Sequence, residues 1–315
     1  MIGEGILVRS PNLGCIELRK AIQIYLAQSR GIIADIEQIV IGSGSEYLYN
    51  LIIELLGRDL VYAIESPSYK KIEQVYSLSE VEVQKLPLSQ NGIESVALKK
   101  CSADVLHISP YRSYPSGVTA SASKRHEYLK WAEKEGRYII EDDFESEFSV
   151  SKKPEETLFC HSLKDNVIYM NTFSKTISSS LRVGYMVLPK KLSKEYEERL
   201  GFYSCTVPTY IQIVLAELIA NGDFERHINR VRRNKRKELS QKGICVISGL
   251  AQGIDTAAHL GAMHQKGKTI AVLGNGLDTI YPTENISLAK EILKTGAVGT
   301  YTGSENIIKY VDNKN

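Results

Sequence analysis

With 315 residues, 43% of them hydrophobic and 24% charged, and a formal net charge of only +2, the chain has the balance of a folded soluble protein of two domains or one large one. That balance excludes an intrinsically disordered chain and a protein whose bulk charge alone would name nucleic acid as its partner. The five cysteines, Cys15, Cys101, Cys160, Cys205 and Cys245, are an odd, scattered set without a Cys-x-x-Cys pair, so neither a metal site nor a disulfide framework is expected.

No apolar run reaches the ~18 residues of a membrane span, and the N-terminus lacks a charged region followed by a long apolar one, so the expected location is cytoplasmic. In CIELRKAIQIYLAQS, Ile16, Leu18, Ala21, Ile22, Tyr25 and Leu26 recur at helical spacing, and Gly31 ends the helix. Seven β-rich runs follow: IEQIVIG, LVYAIES, EVEVQKL, VLHIS, YIIEDD, VIYMNTF and RVGYMVLP. They alternate with helical stretches such as EYLYNLIIELL, SPSYKKIEQVYS and SKRHEYLKWAEKEG, a beat that predicts an α/β fold, a mostly parallel sheet with helices on both faces. Thr209 to Lys242 reads as helical and carries seven Lys or Arg between Arg226 and Lys237. ICVISG, a helix from Ile254 and TIAVLG then restart a βαβ rhythm, a partial Rossmann-like unit, and the restart near Gly243 is the one candidate boundary.

Three stretches carry chemistry. GSGSEY (Gly42 to Tyr47) joins a strand to a helix, so amides near Gly44, Ser45 and Glu46 can face a phosphate. YIIEDDFESEF puts Asp142 at the C-terminal end of a strand, where open α/β sheets bind ligands. There a carboxylate can hold a protonated ring nitrogen; alternatively Glu141, Asp142 and Asp143 simply solvate a loop. NTFSKTISSSLRVGY sets an amine, Lys175, between two phosphate-ligand candidates, Thr172 and Arg182; alone, Lys175 also reads as a solvated surface amine.

The set and its order, from the phosphate turn through ESPSY, SPYRSYPSG, EDD and TFSKT to Arg182 and Gly184, closely resemble fold-type I pyridoxal-phosphate aminotransferases. Most similar is the aminotransferase domain of MocR-type regulators of the GntR class, over about residues 8–238. The resemblance implies pyridoxal 5'-phosphate as cofactor, an amino acid as substrate and a homodimer. It implies that Lys175 forms the internal aldimine and shuttles the proton of transamination, and that Asp142 pairs with the pyridine nitrogen. Gly44, Ser45, Glu46, Thr172 and Arg182 would hold the phosphate, Tyr69 would stack on the ring, and Pro115 and Gly117 would pass beside it. Against the family pattern, Phe144 stands where a cofactor-bonding tyrosine is usual, and Arg112 and Ser113 replace a His-Gln pair. The expected first segment, small domain with its substrate-binding arginine and winged-helix domain are also not in the sequence, so impaired turnover is expected.

GICVISGLAQGIDTAAHLGAMHQKGKTIAVLGNGLDTIYPTENISLAKEI resembles the Rossmann-like domain of DNA-processing protein A (DprA/Smf), over about residues 237–297. Gly249, Gly253, Gly274 and Gly276 allow tight strand-to-helix turns, either as phosphate seats for single-stranded DNA or as turn geometry alone. Gln252 stands where the family has arginine, and the first βα unit and the downstream arginine segment are missing. RHINRVRRNKRK reads as a solvated helix face rather than a nucleic-acid patch, because Phe224, Ile228 and Val231 share the other face. His259 and His264, five apart, read as structural. The expected organisation is 1–238 aminotransferase-like, 239–301 DprA-like and 302–315 tail. The leading reading is a cofactor-binding aminotransferase-like protein; the alternatives are a single-stranded DNA-binding module or a non-functional fusion of two fragments.

Overall fold

The computed structural model describes residues 9–134, 136–143, 146–148, 156–241, 244–264, 267–274, 279–301 and 308–310. The chain forms two compact units, Met1–Phe224 and Glu225–Asn315, dividing earlier than the sequence places the boundary.

In the first unit, α1 (Ile16–Arg30) ends on Gly31, whose left-handed φ of 68° lets its N–H close on Leu26 O. Then come β1 (Ile39–Gly42), α2 (Ser45–Leu56), β2 (Val61–Ser66), α3 (Lys70–Leu78), β3 (Glu82–Ser89), β4 (Gly92–Ile93), α4 (Ser95–Lys100) and β5 (Val105–Ile108). They are followed by α5 (Ala122–Ala132), β6 (Tyr138–Asp142), α6 (Leu158–His161), β7 (Val167–Thr172), α7 (Phe173–Thr176), β8 (Gly184–Val187), α8 (Lys190–Leu200) and α9 (Thr209–Ala220). The strands form one eight-stranded sheet in the order β1-β8-β7-β6-β5-β2-β3-β4. From β7 to β3 every pairing is parallel, while β8 runs antiparallel to both neighbours and β4 closes a hairpin with β3.

Each central strand feeds two cores because successive side chains point to opposite faces. On β6, Ile140 joins Leu48, Tyr49 and Ile52 of α2 on one face, and Ile139 joins Tyr128 and Trp131 of α5 on the other. All seven β-rich runs of the sequence are strands of this sheet. The helical stretch from Thr209 breaks at Asn221–Gly222, where Gly222 takes a φ of 77°. A second helix, α10 (Asp223–Gln241), follows, with Phe224 and Ile228 buried and Arg226, Arg230 and Arg233 exposed.

The second unit contains β9 (Val246–Ser248), α11 (Ile254–His264), β10 (Thr269–Leu273), α12 (Ile286–Thr295), β11 (Ala297–Tyr301) and β12 (Ile308–Tyr310). Its sheet order is β12-β11-β10-β9, parallel except for β12. Leu250, Ala271, Leu273, Ile292 and Val298 form its core. Ala297 onward therefore completes a sheet: β11 pairs with β10, and Ile308–Tyr310, which the sequence assigns to a tail, pairs with β11.

Candidate functional site

Two turns leave the same end of the large sheet. Gly42 at the end of β1 lies opposite Gly184 of β8, which lies opposite Thr172 at the end of β7. The glycine turn and the lysine turn are thus one strand apart. Gly44 caps α2 with a φ of +98°, a conformation that favours glycine, and a Cβ there would lie 2.8 Å from Arg182 Nη2. Arg182, held at a φ of 49°, reaches across to Glu46 Oε2 at 2.6 Å, and Lys71 Nζ meets Glu46 Oε1 at 2.5 Å. Burial favours the protonated form of Glu46, but hydrogen bonds from Lys71 and Arg182 outweigh it and hold its carboxyl down at about 2. Amides at a helix N-terminus beside two cations suit an anion such as a phosphate.

The three acids at the end of β6 are 0%, 5% and 1% exposed at Glu141, Asp142 and Asp143, so they do not solvate a loop. Strand alternation separates them. Asp142 faces α2, where Tyr49 donates to its Oδ2 at 2.6 Å and His107 Nε2 of β5 lies 3.6 Å from the same oxygen. Tyr76 O–H lies 2.7 Å from His107 Nδ1. Burial first, then the charge of Asp142, push the Tyr49 phenol well above its ordinary value, so it stays a donor. On the other face, Glu141 accepts from Tyr111 Oη and from the backbone N–H groups of Leu158 and Phe159. Asp143 accepts from Tyr169 Oη at 2.7 Å and pairs with Arg30 at 2.6 Å.

Lys175 sits in the one-turn helix α7, exposed while Phe173 and Thr176 on either side are buried. Thr172 caps that turn: its hydroxyl accepts from Ser174 N–H at 3.1 Å and donates to Val183 O at 3.0 Å. Its side chain therefore ties the lysine turn to the β8 approach.

Tyr69 caps α3 and meets the Tyr114 ring edge-on, centroids 5.7 Å apart. The turn bearing Tyr114 is anchored by Glu65 at the end of β2, which accepts from Ser109 N–H at 3.2 Å and Ser113 Oγ at 2.7 Å. Ser113 thus has a built partner despite replacing the family's usual residue. Burial raises the Glu65 carboxyl to about 7 against the pull of those two donors. Gly117 takes a φ of 72° in the same turn. Phe144 lies outside the described residues.

Gly44, Ser45, Glu46, Tyr69, Lys175 and Arg182 are thus placed in turns or helix starts next to strand ends of the first unit, and Asp142 and Thr172 are the last residues of β6 and β7. The donor set fits a phosphorylated pyridine aldehyde: an amine, an anion turn with an arginine, and a buried carboxylate whose Oδ1 takes no hydrogen bond from a described residue. Sequence reasoning missed Tyr49, Lys71, His107 and Glu65. Only Tyr49 carried a local signal, standing four residues after Ser45 on the helix that opens the phosphate turn.

In the second unit, Leu250 adopts a φ of 62° and its carbonyl accepts from Asn285 Nδ2 at 2.8 Å. Asp255 accepts from Ser248 Oγ and the Ala251 N–H. His259 is buried, with Nδ1 2.7 Å from Thr269 Oγ1, a structural placement. Gln252 is exposed, and Gly276 lies outside the described residues.

The family model for aminotransferase class I and II matches residues 3–247. The chain belongs to this family. Pyridoxal phosphate is the cofactor of these aminotransferases, in accord with the donor set. A second family model, for DNA recombination-mediator protein A, matches residues 223–310. The uncharacterized HTH-type transcriptional regulator YdeL of Bacillus subtilis is 34% identical over 226 residues, covering 72% of this chain and 49% of that protein. The probable rhizopine catabolism regulatory protein MocR of Rhizobium meliloti is 27% identical over 218 residues, covering 69% of this chain and 44% of that protein. The chain thus spans about half the length of the curated relatives it matches. Among solved structures, the kynurenine aminotransferase of Pyrococcus horikoshii in complex with PMP superposes with a TM-score of 0.68 at 24% identity, covering 77% of this chain and 63% of that one. That likeness is one of fold. No helix among the described residues is long and apolar enough to cross a membrane.

Proposed function

We propose that the first unit binds pyridoxal phosphate through Lys175 and that its reaction class is amino-group transfer with an amino acid. The register that brings Gly42, Gly184 and Thr172 into one row carries this reading, because it sets the phosphate turn and the lysine turn at one end of the sheet, with Asp142 on the strand beside β7. When bound, the cofactor supplies an electron sink for bonds to the substrate α-carbon. The chain's own residues do the rest. The amides of Ser45 and Glu46 and the Arg182 guanidinium hold the phosphate, with Gly44 giving the turn its shape and Thr172 fixing the lysine turn. Asp142 pairs with the ring nitrogen and keeps it cationic. Tyr69, backed by Tyr114, covers the ring, and the Lys175 amine anchors the aldehyde and moves the proton at the reacting carbon. Turnover is expected to be low, since Phe144 has no hydroxyl to offer the cofactor.

The test is the visible absorption spectrum of the protein with added pyridoxal phosphate, for the parent and Lys175→Ala, before and after borohydride. A lysine-dependent band that reduction removes is expected. Identical spectra for the two proteins, matching free cofactor, would overturn the reading.

The same reading includes a cytoplasmic homodimer, supported by the family's habit of building its site at a subunit interface. Single-stranded DNA is proposed as a ligand of the second unit, supported by the match to DNA recombination-mediator protein A. Salt-dependent oligonucleotide binding that weakens when Arg232, Arg233 and Lys235 are neutralised is the expected result. Absence of binding at low salt would remove this partner.

A further inference from the structure

The helix that opens at the phosphate turn reaches the Asp142 carboxylate with a side chain that no motif includes. Tyr49 lies one helical turn beyond Ser45 on α2 and is 1% exposed. Its phenol donates to Asp142 Oδ2 at 2.6 Å. The ring packs edge-on against His107, with centroids 5.0 Å apart. That contact holds the imidazole whose Nε2 faces the same Oδ2 at 3.6 Å. His107 is held from its far side by Tyr76. Both neighbours address one oxygen of Asp142. The other, Oδ1, takes no hydrogen bond from a described residue.

A carboxylate on a two-torsion side chain at a strand end has several rotamers, and only one aims a chosen oxygen at a ring nitrogen. A short bond from a fully buried phenol to one oxygen selects among them, and hydrogen bonds to a charged group are the stronger kind.

Resting on the cofactor reading above, we propose that Tyr49 is a positioning residue that locks Asp142 with Oδ1 presented to the pyridine nitrogen. Tyr49 touches neither the aldehyde carbon nor the lysine and acts through Asp142. Its action therefore depends on the ligand having a ring N–H.

The experiment measures equilibrium binding of two ligands to the full chain: pyridoxal phosphate and its deaza analogue, in which a ring C–H replaces the N–H. Parent, Tyr49→Phe and Asp142→Ala are compared. Tyr49→Phe keeps the ring against His107 and removes only the hydroxyl. It is expected to bind pyridoxal phosphate roughly 10-fold more weakly, the loss of one charge-assisted bond, while binding the deaza analogue as the parent does. Retained analogue binding also reports that the variant is folded. Equal weakening toward both ligands means Tyr49 is packing alone, and no weakening toward either means it is inert; each overturns the proposal. The Asp142→Ala arm separates the two levels of inference. If it discriminates between the ligands while Tyr49→Phe does not, the cofactor reading stands and only the role of Tyr49 falls. If it treats the ligands alike, the placement of Asp142 at the ring nitrogen falls and takes the proposal with it.

Discussion

Glu46 and Arg182 form a 2.6 Å ion pair across the phosphate turn, although they are 136 residues apart in sequence. Lys71 completes a triad on the same carboxylate. Glu46 thus occupies the cation a phosphate would use, and its own charge repels that phosphate. Glu46→Gln keeps a hydrogen-bonding side chain, removes the repulsion and frees Arg182. Tighter binding of pyridoxal phosphate by roughly five-fold is expected, the scale of a half-exposed ion pair. Fluorescence titration checks it, and the gain should shrink as salt is raised. Weaker binding would mean that Glu46 serves to hold Arg182 in place.

Behind the site, Arg30 and Asp143 are a buried pair, with side chains 9% and 0% exposed. Burial lowers the affinity of the guanidinium for its proton, yet the charge of Asp143 outweighs this and raises it overall. Arg30→Met leaves Asp143 buried without its cation, which costs about 3–5 kcal/mol in such pairs. Chemical denaturation of the variant should show that loss in the first unit. The double variant Arg30→Met, Asp143→Asn should recover most of it. A single-variant loss below ~1 kcal/mol would mean that the ion pair contributes little, as exposed pairs do.

The strands of the large sheet were legible because each is a short run rich in β-branched and aromatic residues between turn signals, and Gly31 marked the end of α1 by its chemistry. The residues of the candidate site could be proposed from the sequence because they lie in turns, or at the strand ends that lead into them, where the signals are local. What was not legible is what surrounds them. Tyr49, His107 and Asp142 meet because β5 lies beside β6 and the Tyr49 side chain reaches from α2 to both, and no spacing in the chain encodes that. The alternation of Glu141, Asp142 and Asp143 onto opposite faces is encoded by the strand period, but their burial depends on Arg30 and Tyr169 arriving from elsewhere. The two-residue β4 and the β11–β12 pairing were missed because such short strands are defined by their partners.

Glu65 gives the protein a pH signature. Its carboxyl is raised by burial from an ordinary 4.5 to about 7. Between those values the folded state holds a proton that the unfolded state has released, so stability falls as pH rises from about 4.5 to 7. The full effect of one such group is about 3 kcal/mol. Glu141, Asp143 and Glu147 are also raised by burial and act in the same direction, so the contribution of Glu65 must be read by difference. Glu65→Gln keeps an acceptor for Ser109 and Ser113 and cannot ionise. Its unfolding free energy should fall less steeply than the parent's across that interval. Parallel curves would place the titration elsewhere.

Asn285 is the hinge pin of the second unit's glycine turn. Its amide donates to Leu250 O at 2.8 Å and to Thr256 Oγ1 at 2.9 Å, bracing a leucine held at a φ of 62°, a conformation costly for a side chain bearing Cβ. The Leu250 side chain is fully buried, so the turn cannot relax without exposing it. Asn285→Ala removes both donors and should destabilise this turn by about 1–3 kcal/mol. Hydrogen exchange of the full chain reads this directly. Amides from Ala251 to Thr256 should exchange faster in the variant, while those of the first unit's central strands stay unchanged. Unchanged exchange at the turn would mean that burial of Leu250 alone holds it.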